Sequence, residues 1–231
     1  MIKQMKNAWL ACFAGAMVFA LMIVSGGCSM ERAAMEQGVP PGPARSAAAS
    51  EGADETLKNL QVAFNGESNA RAKYLEYAKK ADSEGYKNVA SLFRAAALSE
   101  QIHAANHSKV IREMGATPLA EIKLPEVSST ENNLKDALKG ETYERDVMYT
   151  DFLKQARAVG DTQAVLTFNF AKAAETEHAK LYASALENLG KGNTGPQTFY
   201  VCPKCGFTTP DPDIRKCPVD FTPKEEFETV S

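Results

Sequence analysis

Residues 97–104 read ALSEQIHA and residues 171–179 read AKAAETEHA. Each stretch holds a Glu-x-x-His: Glu100-Gln101-Ile102-His103 and Glu175-Thr176-Glu177-His178. Residues three apart on a helix are surface neighbours, so each pair sets a carboxylate and an imidazole on one face. A Gly-Glu stands upstream of each. Glu67 of Gly66-Glu67 precedes Glu100 by 33 residues, and Glu141 of Gly140-Glu141 precedes Glu175 by 34. The same order at nearly the same spacing is an internal repeat. It describes two helical hairpins with matching polar positions and one site on their pseudo-twofold axis.

The surrounding pattern is helical from Thr56 to Gly190. Four segments are expected at about 55–83, 86–114, 131–159 and 161–189, with stops at Gly85, Gly115, Gly160 and Gly190. The links inside each hairpin are very short, which makes antiparallel neighbours. The stretch from Ala116 to Thr130 is longer and carries Pro118 and Pro125. One long crossover between two helical hairpins is the ferritin-like form of the four-helix bundle.

Two Glu-x-x-His pairs, with one glutamate from each of the other two helices, are the ligand set of a carboxylate-bridged di-metal site in such a bundle. Here these are Glu100/His103, Glu175/His178, Glu67 and Glu141. Glu144, one turn after Glu141, adds a seventh donor; its counterpart in the first hairpin is Ala70, so the two ions have unequal surroundings. The flanks are apolar: Ala95, Ala96, Ala97 and Leu98 before Glu100, and Phe168, Phe170, Ala171, Ala173 and Ala174 before Glu175. Buried carboxylates without counter-charge cost several kcal/mol each, so two cations are required for structure as well as chemistry. Tyr74 lies seven residues after Glu67 and Tyr149 eight after Glu141. Both return to the ligand face, where a buried hydroxyl needs a partner and a ligand carboxylate is available. His107 falls outside the ligand set, and Met148 and Tyr182 read as packing.

Residues 197–231 change character. Cys202-Pro203-Lys204-Cys205-Gly206 is a metal knuckle: two thiolates face one ion and the glycine permits the tight turn. The second knuckle is Cys217-Pro218-Val219-Asp220-Phe221, with Asp220 where a fourth cysteine is expected and Phe221 where a glycine is. Tyr200, Phe207, Phe221 and Phe227 are candidates for a miniature core. A unit of this size usually needs a metal to fold. Three states are open: iron held by Cys202, Cys205, Cys217 and Asp220; zinc on the same donors; or a degenerate knuckle with Cys202 and Cys205 oxidised.

The N-terminal end belongs to neither unit. Lys3 and Lys6 precede an uncharged run from Ala8 to Val24, the shape of a secretory signal. Ser25-Gly26-Gly27-Cys28 resembles a bacterial lipoprotein cleavage box, which makes 1–27 the signal and Cys28 the lipidated residue; an uncleaved anchor is the alternative. Residues 28–53, with Pro40, Pro41 and Pro43, read as a flexible tether. The protein is thus expected to be exported and membrane-anchored, on the periplasmic side of the inner or outer membrane. Residues 54–190 and 197–231 form the two folded units. A net charge of −3 over 231 residues leaves no nucleic-acid footprint, and five cysteines are too few for a disulfide scaffold of this length.

From about residue 55 to the end the chain resembles a rubrerythrin: an all-α ferritin-like di-iron bundle followed by a small rubredoxin-like domain. The motifs Gly66-Glu67, Glu100–His103, Gly140-Glu141-Thr142-Tyr143-Glu144 and Glu175–His178 carry the resemblance in order. The rubredoxin motif matches in its first half and departs at Asp220 and Phe221. The resemblance implies two irons in the bundle, a further iron in the tail, and reduction of hydrogen peroxide to water. Electrons then come from an external donor through the tail. It also implies that one iron exchanges a carboxylate for a histidine on reduction, here Glu144 and His103. Tyr74 and Tyr149 match positions that support the ligands. A homodimer in which one chain's tail serves the other's bundle is implied as well. A ferroxidase or iron-binding protein is the alternative; a metal-stabilised bundle with no redox role is a third reading.

Overall fold

The computed structural model describes residues 47–191 and 195–231. The signal read at 1–27 and Cys28 lie outside the described residues. Among the described residues, no helix is long and apolar enough to cross a membrane.

The chain forms a four-helix ferritin-like bundle followed by a small three-stranded knuckle unit. Helix α1 spans Ala47–Ser83 and α2 Lys87–Glu113. The third rod is α3 (Thr130–Tyr143), a π-helical turn (Glu144–Met148) and α4 (Tyr149–Ala158); α5 spans Thr162–Glu187. Gly85 and Gly160 close the two hairpins with φ of +85° and +74°, a conformation that costs a residue with a Cβ. Asp161 caps α5 by accepting from the Ala164 amide at 2.9 Å, and Ser129 caps α3 by accepting from Asn132.

Two expectations about the helices are corrected. Helix α1 begins at Ala47, inside the stretch read as tether. Ala47, Ala48 and Ala49 have high helix propensity, and tertiary contacts hold the next turn. Gln155 donates to the Gly52 carbonyl at 2.7 Å, and a Cβ at Gly52 would lie 2.3 Å from Val159 Cγ1. The third rod is not one continuous α-helix. Its hairpin carries one residue more than the first between Glu141 and Gly160, and the π turn absorbs it: Glu141 to Tyr149 spans eight residues where Glu67 to Tyr74 spans seven.

The crossover runs extended along α1. Gln61, Asn65 and Asn69, one turn apart, hold its backbone: Leu119, Glu121 and Lys123 donate to their side-chain oxygens at 3.1, 2.9 and 2.8 Å. The bundle core has two apolar clusters. One contains Tyr74, Tyr77, Phe93 and Tyr182; the other contains Leu60, Ile111, Tyr149 and Phe168. The glutamates and histidines of the motifs lie between these clusters along every helix.

In the tail, β1 (Phe199–Val201) pairs antiparallel with both β2 (Thr208–Thr209) and β3 (Glu228–Val230). Phe199 and Val201 join the first bundle cluster, so the sheet is docked on the helices. The knuckles are near copies of each other. The Gly206 amide donates to Cys202 O at 2.9 Å, and the Phe221 amide donates to Cys217 O at 3.1 Å. Phe221 has φ +64°, the glycine-like conformation of Gly206 at +77°. It does not join the miniature core: its side chain is 66% exposed, with the Lys216 ammonium 4.9 Å from the ring centre. Cys202, Cys205, Cys217 and Phe227 form that core, flanked by Tyr200 and Phe207.

Candidate metal centre

Six of the seven donors named from the bundle sequence converge. Glu67, Glu100, His103 and Glu175 form one group; Glu100, Glu141, Glu175 and His178 form the other. Within each, a ligand atom from every residue lies within 4.8 Å of the rest. Glu100 and Glu175 belong to both groups, so two ions held there would share them. Glu67 and His103 close one side, Glu141 and His178 the other.

All six side chains are buried. His103 Nδ1 lies 2.9 Å from Glu100 Oε2, and His178 Nδ1 lies 2.8 Å from Glu175 Oε2. Four carboxylate oxygens, Glu67 Oε2, Glu100 Oε1, Glu141 Oε2 and Glu175 Oε1, are buried without a well-formed hydrogen bond, Glu175 Oε1 sharing His103 Nδ1 at 2.9 Å with Glu100. One such oxygen comes from each rod. An unpaired buried oxygen is costly, and cations in the two groups satisfy all four. Imidazole and carboxylate donors suit iron. The residues therefore fit a di-metal centre.

The electrostatics agree. Burial, then the charges of Glu175 and Glu141, push the Glu100 carboxyl well above the carboxylate range. Burial, then Glu141 and Glu67, does the same to Glu175. Burial also works against Glu141, but contacts with His178 and the Tyr74 hydroxyl hold its carboxyl below the ordinary value. At His103 burial opposes the charge, yet Glu100 and Glu67 raise the imidazole to about 9. Without cations the cluster retains protons.

Glu144 lies outside both groups. It heads the π turn, and burial followed by the Glu67 and Glu141 charges drives its carboxyl well up.

The supporting tyrosines work crosswise. Tyr74 on α1 donates to Glu141 Oε1 on α3 at 2.5 Å, and Tyr149 on α4 donates to Glu67 Oε1 on α1. Each hairpin thus orients a ligand of the other. Tyr149 is in turn 3.1 Å from His107 Nε2, whose Nδ1 is 2.9 Å from Thr167 Oγ1. Burial keeps His107 below the ordinary histidine value.

Both ligand imidazoles turn Nδ1 toward the carboxylates and Nε2 toward the tail. His103 Nε2 lies 3.1 Å from the Cys205 carbonyl, and His178 Nε2 lies 3.2 Å from Thr208 Oγ1. A carbonyl only accepts, so Nε2 of His103 carries the proton; such outer partners fix a metal-binding tautomer. Ser99 donates to Gly206 O at 2.7 Å. Gly206 touches the bundle so closely that a Cβ would fall 2.4 Å from both His103 Nε2 and Ser99 Oγ. Ser99 and Thr208 carry no signal in the sequence, since nothing in their spacing marks a contact across more than 100 residues and 30 residues respectively.

In the tail, Cys202, Cys205, Cys217 and Asp220 form a third donor group. The three cysteines are unbridged, with Cys205 and Cys217 Sγ 3.4 Å apart and Cys202 Sγ 3.3 Å from Asp220 Oδ2. The contact with Cys205 brings the Cys202 thiol down to about 6, while burial raises Cys217 to about 11. Four converging donors fit a single tetrahedral ion, iron or zinc.

The rubrerythrin family profile matches residues 58–186. Nigerythrin of Nitratidesulfovibrio vulgaris is 36% identical over 173 residues, covering 74% of this chain and 85% of that protein. Rubrerythrin-2 of Clostridium acetobutylicum is also 36% identical, covering 75% of this chain and 95% of that one. Fully reduced, all-ferrous nigerythrin superposes with a TM-score of 0.71 over 75% of this chain and 86% of that one, at 36% identity. The Desulfovibrio desulfuricans bacterioferritin, 23% identical with a TM-score of 0.56, shares the bundle fold over 62% of this chain and 85% of its own. Paired donor groups on four rods, joined by hydrogen bonds to a cysteine knuckle, are thus found in a chain that belongs to the rubrerythrin family.

Proposed function

We propose that this protein is an exported, membrane-anchored peroxide reductase, taking electrons through its C-terminal knuckle. The observation that carries this reading is the Cys205 carbonyl 3.1 Å from His103 Nε2. It joins the tail donors to the bundle donors through one hydrogen bond. Two irons held by the bundle supply electrons and Lewis acidity for O–O cleavage. The protein's own residues do the rest. Tyr74 and Tyr149 orient Glu141 and Glu67, the apolar clusters exclude bulk water, and Thr208 and Cys205 set the histidine tautomers. His103 stands among the donors while Glu144 stands aside, which corresponds to the histidine arrangement that the family resemblance associates with reduction. The tail donors hold a third metal with Asp220 in place of a thiolate.

Export and lipidation at Cys28 rest on the N-terminal pattern alone. A homodimer is in keeping with the crossover, where Leu119, Ile122 and Leu124 are exposed.

The test is metal quantification of the anaerobically reduced protein, then titration with peroxide and, separately, with oxygen. Peroxide is expected to oxidise the centre fast, with two electrons and two protons converting each peroxide to two waters. Oxygen is expected to act slowly and no mineral core to form. Preferential oxidation by oxygen with accumulation of many irons per chain would identify a ferroxidase instead.

A further inference from the structure

A cavity of about 660 Å³ lies away from the metal centres, where the tail meets the start of α2 and the end of α5. An inner cleft of about 160 Å³ continues from it, and the two share Asn88, Asn188, Gln197 and Pro210. We propose that this cavity binds a hydroquinone, the reductant whose electrons enter the knuckle. The proposal rests on the reading above that a membrane-anchored chain reduces peroxide through its tail.

The lining selects the ligand. Val89, Leu92, Leu181 and Phe199 give the inner cleft an apolar floor suited to a ring. Asn88 Oδ1, in the first turn of α2, is buried and has no hydrogen-bond partner among the described residues. A buried acceptor left unpaired is costly until a donor reaches it, and a ligand hydroxyl is such a donor. Among the lining residues only Lys191 is charged at neutral pH, and none is a glycine. The phosphates of a nucleotide would find neither a cluster of cations nor a glycine-rich turn there. A neutral, ring-bodied, hydroxylated molecule fits an apolar floor with a few convergent polar groups.

Tyr200 joins the cavity to the tail site. Its side chain lines the cavity and packs on the cluster of Cys202, Cys205 and Cys217. The Lys224 ammonium lies 4.8 Å from its ring centre and donates to the Pro212 carbonyl, which holds that wall in place.

The exchange balances. The hydroquinone loses two O–H protons and two electrons and leaves as the quinone. Its electrons pass one at a time to the knuckle. Its protons leave to water at the mouth, where Lys191, Gln197 and Pro212 are exposed. Hydrogen peroxide takes up two electrons and two protons and becomes two waters. Asn88 accepts a hydrogen bond and exchanges no proton.

The binding probe is 2-heptyl-4-hydroxyquinoline N-oxide, a redox-inert fluorescent quinol analogue, titrated into the zinc-loaded full chain. Saturable quenching is expected. Asn88→Leu, nearly the same shape, is expected to weaken binding roughly fivefold or more, and Leu181→Trp, which fills the inner cleft, to abolish it. In the iron-loaded protein, menadiol added without oxygen is expected to reduce the tail, and both substitutions to slow this in step with the lost binding. Methyl viologen radical is expected to reduce wild type and variants alike. Vesicles carrying menaquinol separate the sources: reduction from them assigns a membrane-borne hydroquinone, and reduction by menadiol alone a soluble one. Absence of quenching, quenching indifferent to both substitutions, or a tail that viologen reduces and neither hydroquinone does, overturns the site. The wild-type results decide even where a variant does not fold. Failure of the peroxide reading looks different: the reduced protein is inert to peroxide, while probe binding and tail reduction persist.

Discussion

The carbonyl oxygen of Cys205 lies 3.1 Å from Nε2 of His103, so a donor of the tail site accepts a hydrogen bond from a donor of the bundle site. Gly206, the next residue, has φ +77° and no room for a side chain. Gly206→Ala is therefore expected to act twice. The left-handed backbone costs about 1–2 kcal/mol for a residue with a Cβ, and the methyl pushes the knuckle off His103 and Ser99. The variant should lose several degrees of Tm, measured by calorimetry. Electron transfer from knuckle to bundle should slow in stopped-flow reduction while the metal content holds.

Asp220 occupies the fourth position of the tail site. The as-isolated protein is expected to lack the visible spectrum of a ferric four-thiolate centre, and Asp220→Cys to move it toward one. Absorption and electron paramagnetic resonance spectra check this. A four-thiolate spectrum in the wild type would falsify the donor assignment.

Tyr74→Phe and Tyr149→Phe each remove a hydroxyl that orients a ligand carboxylate of the other hairpin. Loss of an outer-sphere partner typically weakens metal affinity or activity about 10–100-fold. Competition with a chelator should show weaker binding in each variant, with little change in helicity.

Metal-free stability should depend on pH in a definite direction. Glu100, Glu175 and Glu144 have carboxyls raised above 4.5 in the folded chain, and His103 is raised from 6.5 to about 9. A group whose folded value exceeds its unfolded value stabilises the fold fully below the unfolded value. That stability is lost as pH rises through the folded value. Glu141, His107 and Cys202 are lowered and act in the opposite sense, three groups against four. The metal-free protein is therefore expected to lose Tm from about pH 5 to about pH 9, where His103 gives up its proton, and the gain on adding metal to grow over the same interval. A metal-free Tm that climbs with pH across this range contradicts the protonated cluster.

Much of the site was legible because helices convert spacing into direction. Glu100/His103 and Glu175/His178 had to share faces, and the repeat of Gly-Glu had to bring Glu67 and Glu141 to the same level. Even the π turn had a signature: one extra residue between Glu141 and Tyr149, compared with Glu67 and Tyr74, has to be accommodated within a helix. Helical continuity across Ala47–Gly52 was not legible, because the contacts of Gly52 with Gln155 and Val159 help hold it. Phe221 is a core candidate by its chemistry, whereas in the structure its backbone is left-handed and its ring exposed.

The amino-acid sequence by itself determined the four rods, their pairing into hairpins, the six converging donors and the knuckle, because each depends on local periodicity and short spacing. Only the tertiary structure decided that Glu144 falls outside the two donor groups, that Ser99 reaches Gly206 and Thr208 reaches His178 across the two units, and that His107 connects Thr167 to Tyr149. Those relationships depend on how rigid elements far apart in sequence come to rest against one another, which no local pattern encodes.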